Sequence, residues 1–269
     1  MTDERAVEFE HLRLERRDHG VVLVVLDDPD RRNAMSQPMT REWIDAMAAL
    51  RGDQALRCVV VTGAGGAFCA GGDMEWLGAV PEASVDEFRS RMLPFYRAWL
   101  AIRDLPVPSV AAVNGAAIGA GLCLALACDL RYAATDATLA APFTALGMHA
   151  GMAATRLLPQ LGGLNLAREL LLTSRSLTGA EAAAAGLVNR SFDRGVLLDA
   201  VLDIAASVAA RAPIATRLTK AALADGPPAS IEAALQWEAL AQPVTMATAD
   251  LREGLAAQRE RRPPRFTGR

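Results

Sequence analysis

The stretch that decides the fold runs over Ser109–Ala133 and reads SVAAVNGAAIGAGLCLALACDLRYA. The apolar run Ser109–Val113 predicts a buried strand, and Asn114-Gly115 predicts a turn after it. Gly119 and Gly121 stand before a run of small and apolar residues, which is typical of a closely packed helix. A strand, a glycine-rich turn and a helix start leave free backbone N–H groups, and such groups can bind a phosphate or stabilise an oxyanion.

A second glycine-rich stretch lies roughly fifty residues upstream of the first. The apolar run Cys58–Val61 predicts another strand, and Thr62–Met74 follows it with the sequence TGAGGAFCAGGDM. Either stretch alone is a common pattern, because glycine turns often join a strand to a helix. Both together, with AFCAGGD before NGAAIGAG, resemble the enoyl-CoA hydratase/isomerase (crotonase) superfamily, and the resemblance covers nearly the whole chain.

The resemblance implies an α/β fold, a crotonase-type spiral of ββα turns with a C-terminal helical region used for trimerisation. We place the spiral core at 1–194 and the helical oligomerisation region at 195–269, because the pattern stays helical from Leu197 onward. A homotrimer, or a hexamer of two trimers, is common among members of the superfamily.

Local patterns make further predictions about the core. Leu12–Arg17 and Val21–Asp27 predict a hairpin, and Ser36 predicts the cap of a helix over 38–50. The other predictions are a helix over 85–104 with a kink or break at Pro94, helices at 154–161 and 167–172, a capping box from Thr178 to Glu181, a short strand over 138–140 and a last strand at 187–189.

Composition excludes several classes of protein. The chain has 269 residues, 52% of them hydrophobic, which is enough for a sizeable core. Its net charge of −3 gives no reason to expect nucleic acid or an anionic membrane as a partner. The N-terminal residues are polar and glycine interrupts the longest apolar runs, so we expect no signal peptide and no membrane span. Four cysteines without metal-type spacing predict reduced thiols, a cytoplasmic location and no metal site.

The resemblance also implies a chemistry. In this superfamily, the oxygen of an acyl-CoA thioester lies between two backbone N–H groups, and the reaction passes through an enolate or a related anion on that oxygen. The motifs place the first N–H at Gly72 and the second at Ala120. Alanine replaces the usual glycine at 120 and keeps the N–H, although its methyl group narrows the slot. The alternative is that both loops are only tight turns.

The chain departs from the superfamily pattern at both catalytic carboxylates. Hydratases use two glutamates, because one must activate water while the other supplies a proton. The matching positions here are Cys123 and Phe143, and Asp136 is the only acid between Tyr132 and Glu169. We therefore expect no conventional two-glutamate mechanism, and single-glutamate isomerase chemistry loses its base as well.

Other side chains are candidates to replace the carboxylates. His149 lies in a loop that lines the acyl pocket of relatives, and it can act as a general acid or base or simply bond a backbone carbonyl. Cys123 stands near a helix N-terminus, where a thiol pKa can fall, although we favour a small apolar filler. A Cys123–His149 pair is a further alternative, which we do not favour. Phe143, Met148 and Met152 predict an apolar acyl pocket, with ordinary core packing as the alternative.

The resemblance also assigns the CoA site. Ala70 matches the backbone that meets the adenine, and the segment of Gly72, Asp73, Met74 and Glu75 borders the rest of the cofactor. We interpret Asp73 as a helix cap and loop organiser. In relatives, basic side chains on the last helix reach the nucleotide phosphate of a neighbouring subunit, and Arg261 matches that position. The alternative is that Arg261 belongs to a solvated helix face.

Two functions remain open from the sequence. The first is an enoyl-CoA hydratase/isomerase-type enzyme that polarises a thioester with Gly72 and Ala120, with His149 in proton transfer and no cofactor besides the CoA thioester itself. The second is a non-catalytic acyl-CoA binding protein, which the missing glutamates favour. A third and weaker hypothesis is another reaction on the same scaffold, such as decarboxylation or thioester hydrolysis. Nothing in the sequence selects the acyl chain.

Overall fold

A computed structural model describes residues 9–78 and 83–269 and arranges them as two sheets surrounded by helices. The strands are β1 (Leu12–Arg16), β2 (Val21–Leu26), β3 (Cys58–Gly63), β4 (Ala67–Cys69), β5 (Ser109–Val113), β6 (Ala116–Ile118), β7 (Leu130–Ala134), β8 (Thr138–Ala140), β9 (Ser176–Thr178) and β10 (Arg190–Phe192). The helices are α1 (Gln37–Gly52), α2 (Met74–Gly78), α3 (Val85–Leu100), α4 (Ala120–Ala127), α5 (Ala154–Thr173), α6 (Gly179–Ala184), α7 (Arg194–Ala209), α8 (Pro213–Leu223), α9 (Ile231–Met246) and α10 (Ala249–Glu260).

The first sheet has the strand order β1-β2-β3-β5-β7-β10, and the second has the order β4-β6-β8-β9. β1 and β2 form the predicted antiparallel hairpin, and the other strands of the first sheet run parallel. Every residue of β2 and β3 is buried, as expected for parallel strands that are covered on both faces.

The chain alternates between the two sheets. β3, β5 and β7 belong to the first sheet, and the strand that follows each of them belongs to the second. Helices α3 and α4 then return the chain to the first sheet. Each turn therefore contributes one strand to each sheet, which confirms the predicted ββα spiral. Because β4 and β6 are neighbours, the glycine-rich segments that end them lie side by side.

Helix starts follow the capping signals in the sequence. Ser36 Oγ accepts a hydrogen bond from the Met39 N–H at 3.3 Å. Thr178 and Glu181 form the predicted capping box, with the Thr178 N–H donating to Glu181 at 2.7 Å. These confirmed caps satisfy N–H groups that a helix start would otherwise leave unpaired.

Pro94 does not break its helix. α3 continues through Pro94 to Leu100, so the predicted break is wrong, and the last four residues of the predicted helix, 101–104, form a separate 3-10 turn. The buried Trp99 of α3 stacks on Trp43 of α1 with ring centroids 4.8 Å apart. This packing outweighs the one hydrogen bond that a proline nitrogen cannot donate.

Other boundaries shift for identifiable reasons. α5 contains both predicted helices, which meet at the non-helical Gly163, with φ 80° and ψ 161°. The predicted strand at 187–189 is wrong, because the pairing with β7 begins at Arg190. Leu187 and Val188 are buried in the turn after α6, where both N–H groups donate to the Ala182 carbonyl. Their apolar character therefore reflects core packing rather than a strand.

α8 begins at Pro213, and Gly226-Pro227-Pro228 separates α8 from α9, whereas Pro243 lies inside α9. α7 packs against β3, β5 and β7, whereas α9 buries none of its residues within this chain. Ile231 and Leu240 of α9 are 81% and 74% exposed. Within residues 9–78 and 83–269, no helix combines the length and apolar character needed to cross a bilayer.

Asp129 joins the first sheet to α8. Its Oδ2 accepts hydrogen bonds from the Ser109 N–H at 2.7 Å and the Ser109 hydroxyl at 2.9 Å, and lies 2.8 Å from Lys220 Nζ. Lys220 also donates to the Val107 carbonyl at 2.9 Å, and its side chain is only 8% exposed. Asp129 therefore has a structural role, because it ties β5 to α8.

We expect Asp129→Ala to lower the free energy of unfolding by about 2 kcal/mol, because it leaves the buried Lys220 ammonium without its carboxylate. This value is below the cost of breaking a fully buried pair, since the Asp129 side chain is 33% exposed. Urea unfolding of Asp129→Ala, Lys220→Met and the double variant measures the coupling between them. If Asp129→Ala lowered the free energy of unfolding equally in the wild type and in the Lys220→Met variant, this account would be contradicted.

Candidate active site

Two asparagines brace the first glycine loop. Asn33 is fully buried, and its Nδ2 donates to the Ala64 and Ala67 carbonyls at 3.0 and 2.9 Å. Asn114 Nδ2 donates to the Gly63 carbonyl at 2.8 Å, and Asn114 Oδ1 accepts from the Gly63 N–H at 3.2 Å. The loop is thus fixed from both sides before any ligand binds.

The two glycine loops pack backbone against backbone. A Cβ atom added to Gly121 would lie 2.2 Å from the Cys69 carbonyl oxygen, and one added to Gly71 would lie 2.5 Å from that of Ile118. The latter would also lie 3.4 Å from the Ala120 nitrogen. Side chains at these positions would push the loops apart, so the glycines bring residue 72 close to residue 120.

Gly72 and Ala120 line one small cavity of about 90 Å³. Its walls are Ala70, Gly71, Gly72, Leu77, Met92, Phe95, Tyr96, Gly119, Ala120, Phe143, Met148, His149, Gly151 and Met152. Among the described residues, neither the Gly72 nor the Ala120 N–H donates to a protein carbonyl. Ala120 is the first residue of α4, so its N–H belongs to the unpaired, partially positive end of the helix. Both residues that the motifs single out therefore line the same cavity.

The cavity wall is largely apolar, and none of the described residues that line it is Asp or Glu. Phe143, Met148 and Met152 all contribute to it, as the predicted acyl pocket requires. The Phe143 ring lies against Gly119, with ring atoms 3.8 Å from a Cβ added there.

Cys123 lies behind this wall and is 1% exposed. Burial raises the pKa of its thiol to about 12, so the alternative of a lowered thiol pKa is wrong. Its Sγ lies 3.8 Å from the Gly151 carbonyl oxygen. Cys123 packs as a small apolar side chain, which is the interpretation that we favoured from the sequence.

His149 lies at the exposed edge of the cavity. Its Nδ1 is 2.8 Å from the Ala150 carbonyl oxygen, and since a carbonyl only accepts, Nδ1 carries the hydrogen. Nε2 of a neutral imidazole then keeps its lone pair for another partner. The predicted backbone hydrogen bond is present, and it leaves the other nitrogen available for proton transfer.

Tyr96 is a cavity residue that sequence reasoning missed. It lies on α3 beside Phe95, with ring centroids 6.1 Å apart. A Cβ added to Gly151 would lie 2.6 Å from the Tyr96 hydroxyl oxygen, so that hydroxyl lies directly against the Gly151 backbone. Burial, and secondarily the neighbouring Cys123, raises the pKa of Tyr96 above its ordinary value. The spacing of apolar residues in α3 indicates which face of the helix is buried. It does not indicate which loop packs against that face.

The predicted CoA-binding residues lie on the outer side of the first loop. Asp73 Oδ1 accepts the Glu75 N–H at 2.9 Å, and Asp73 Oδ2 accepts a hydrogen bond from Arg31 at 2.7 Å. Asp73 thus has the geometry of a loop organiser, and Arg31 is a second organiser that the sequence did not reveal. Met74 is 62% exposed, and of the predicted CoA residues in this loop only Ala70 and Gly72 reach the cavity.

Arg261 ends α10 in the left-handed conformation, with φ 54°, and is exposed. The adjacent Arg262 pairs with Glu253 and Glu260, whereas the described residues offer Arg261 no acidic partner. Arg261 does not line the cavity of its own chain. Its predicted contact with a neighbouring subunit's nucleotide remains a prediction.

A larger cavity of about 490 Å³ lies elsewhere, between α5, α8 and the start of β7. Asp129 and Lys220 line it, but neither glycine loop contributes to it. We place the candidate site in the smaller cavity, because Gly72, Ala120 and His149, the candidate residues from the sequence, line it together. Across the described part of the chain, no cluster of three metal-ligating side chains occurs.

Two sheets joined by a ββα spiral, with paired glycine loops beside an apolar cavity, define a crotonase-type protein. The enoyl-CoA hydratase/isomerase profile matches residues 16–269, and the chain belongs to that family. It is 39% identical over 246 residues to a putative enoyl-CoA hydratase of Thermus thermophilus, covering 91% of this chain and 97% of that protein.

Two further comparisons agree. The chain is 36% identical over 257 residues to the human mitochondrial enoyl-CoA hydratase domain-containing protein 2, covering 94% of this chain and 87% of that one. The crystal structure of an enoyl-CoA hydratase from Bacillus anthracis superposes with a TM-score of 0.90 at 32% identity, covering 97% of this chain and all of that one. The fold class predicted from the sequence is thereby confirmed.

Proposed function

We propose that this protein binds an acyl-CoA thioester and hydrates an enoyl-CoA, with the thioester oxygen held between the N–H groups of Gly72 and Ala120. The observation that carries the proposal is that Gly72 and Ala120 line one apolar cavity, and that neither N–H donates to a carbonyl of the described residues. As the reaction proceeds, negative charge accumulates on the thioester oxygen. Donors that are already in place stabilise that charge without reorganisation.

In this proposal, His149 activates the water. The hydrogen on Nδ1 is engaged by the Ala150 carbonyl, so Nε2 can take a proton from a water molecule near the substrate β carbon. Cys123 and Phe143 occupy the carboxylate positions of the superfamily hydratases, which leaves this histidine as the basic side chain among the residues of the cavity wall.

The second candidate function is an acyl-CoA binding protein without turnover. The cavity wall without carboxylates favours it. Hydration of crotonyl-CoA, followed by the loss of its conjugated absorbance, separates the two functions when binding is titrated on the same sample. Turnover well above that in buffer supports the enzyme. Saturable binding without turnover supports the binding protein, and failure to bind any CoA thioester would exclude both.

We expect His149→Asn to lower kcat about 10²-fold with little change in thioester affinity. Asparagine can keep the hydrogen bond to Ala150 but lacks the distal nitrogen that accepts the proton. His19→Asn is the matched control, because His19 lies in the exposed turn before β2 with φ 61° and asparagine tolerates that conformation. Unchanged turnover in His149→Asn would remove His149 from the mechanism.

Assembly belongs to the same proposal. The apolar residues that α9 exposes support a homotrimer or hexamer, because a soluble monomer rarely shows so large an apolar patch. In such an assembly, Arg261, which pairs with no acid among the described residues, would contact a nucleotide phosphate of a neighbouring subunit. Four free, buried cysteines suit a reducing compartment, and a cytoplasmic location is part of the proposal.

A further inference from the structure

Hydration also delivers a proton to the α carbon of the enolate that forms after water addition, and a second proton-transferring side chain beside the base can supply it. Among the described residues that line the cavity, only Tyr96 and His149 have side chains that readily exchange a proton. His149 is already assigned to the water. Tyr96 is therefore the group whose role needs explanation.

The Tyr96 hydroxyl stands next to the place where the superfamily carboxylate is missing. It lies against the Gly151 backbone, and the Cys123 thiol contacts the carbonyl oxygen of the same residue. Tyr96 projects from α3, whereas Cys123 lies on α4, so the phenol reaches this region from a different helix. A side chain that can donate a proton thus lies near the buried Cys123 thiol, the position that the motif resemblance assigns to a catalytic carboxylate.

Aromatic packing fixes the helix that carries Tyr96, but the Tyr96 hydroxyl has no hydrogen-bond partner among the described residues. Phe95, the neighbour of Tyr96, packs against Trp76 with ring centroids 5.0 Å apart, and Trp99 anchors the same helix on α1. Within 9–78 and 83–269, no protein group forms a hydrogen bond with the Tyr96 hydroxyl. Its O–H is therefore free to point at a ligand in the cavity.

We propose that Tyr96 is a catalytic residue that donates its phenolic proton to the α carbon of the thioester enolate. The inference rests on the proposed function. Water first adds to the β carbon as His149 takes its proton, and the π electrons move onto the thioester oxygen. The enolate then collapses, its α carbon takes the proton of Tyr96, and the thioester carbonyl forms again. The phenolate regains a proton from the histidinium through solvent, so the enzyme ends as it began.

A phenol suits this step. Burial keeps the Tyr96 proton in place, because the raised pKa disfavours the phenolate throughout the neutral range. The α carbon of a thioester enolate is a much stronger base than a phenolate, so the transfer is downhill. The apolar wall supplied by Phe143 and Met152 protects the enolate from competing protonation by water.

The test compares the whole protein with Tyr96→Phe and a matched control, Tyr132→Phe. The chain has two tyrosines, and Tyr132 is buried on β7 outside the cavity. Two readouts are used: crotonyl-CoA hydration at neutral pH, and deuterium uptake at the α carbon of butyryl-CoA in D₂O by NMR at about pH 9, where a small fraction of Tyr96 is the phenolate that this exchange requires. We expect Tyr96→Phe to lower both rates about 10²-fold at unchanged butyryl-CoA affinity, and Tyr132→Phe to leave both rates unchanged.

The readouts separate the two proposals. Wild-type deuterium uptake that Tyr96→Phe abolishes, without any hydration, would support Tyr96 while overturning the proposed hydratase function. Equal rates in Tyr96→Phe and wild type would overturn the role of Tyr96 and leave the hydratase standing. Absence of both hydration and uptake in the wild type would overturn both, because no proton would then pass to or from the α carbon.

Discussion

Replacing Ala120 with proline should lower kcat for crotonyl-CoA about 10²- to 10³-fold, the usual cost of losing one donor to a developing oxyanion. Ala120 is the first residue of α4, a position where proline is well tolerated because the N–H has no partner within the helix. The preceding Gly119 has φ 55° and ψ −115°, the mirror image of the extended conformation that proline favours in its predecessor. The substitution can therefore delete the donor without unfolding the helix.

Ala120→Gly is the matched control, because glycine keeps the N–H and removes only the methyl group. We expect its kcat to stay near that of the wild type, with circular dichroism and thermal unfolding unchanged in both variants. A folded Ala120→Pro protein with full turnover would show that the Ala120 N–H does not meet the thioester oxygen.

Gly121→Ala should have the largest effect on stability, lowering the free energy of unfolding by about 3 kcal/mol. The added methyl would lie 2.2 Å from the Cys69 carbonyl oxygen and 2.9 Å from its Cβ, and a backbone carbonyl cannot rotate away. The two glycine loops would have to separate. We therefore expect activity to fall together with stability, because Gly72 and Ala120 depend on the same contact.

Gly195→Ala is the control for adding a methyl group. Gly195 is exposed in α7, and nothing lies within 4 Å of a Cβ added there. Urea unfolding should give a stability equal to or slightly above that of the wild type, as expected for alanine in a helix. If Gly121→Ala unfolded at the same urea concentration as Gly195→Ala, the close loop contact would be disproved.

The sequence predicted the spiral because its two glycine loops are local and their spacing is informative. Buried strands such as β3 and caps such as Ser36 depend on neighbouring residues, so they too could be predicted. The second sheet was largely missed. Its strands have only three residues each, too few for a period to stand out, and pairing rather than pattern defines them.

The candidate site likewise contains some residues that the sequence predicted and one that it did not. Gly72 and Ala120 follow from motifs, and Phe143 and His149 follow from one loop. Tyr96 lies on a helix whose partner loop comes some fifty residues later, and no local pattern links the two. Such contacts arise only when the chain is folded.

All four cysteines are free and buried, and burial raises the pKa of each thiol to about 12. At neutral pH these thiols are therefore almost entirely un-ionised, and alkylating reagents attack the ionised form. The native cysteines therefore react slowly with thiol reagents. A single cysteine engineered on the surface would be labelled selectively with a fluorophore. Slow alkylation of Cys123 would measure how often the wall behind the substrate cavity opens.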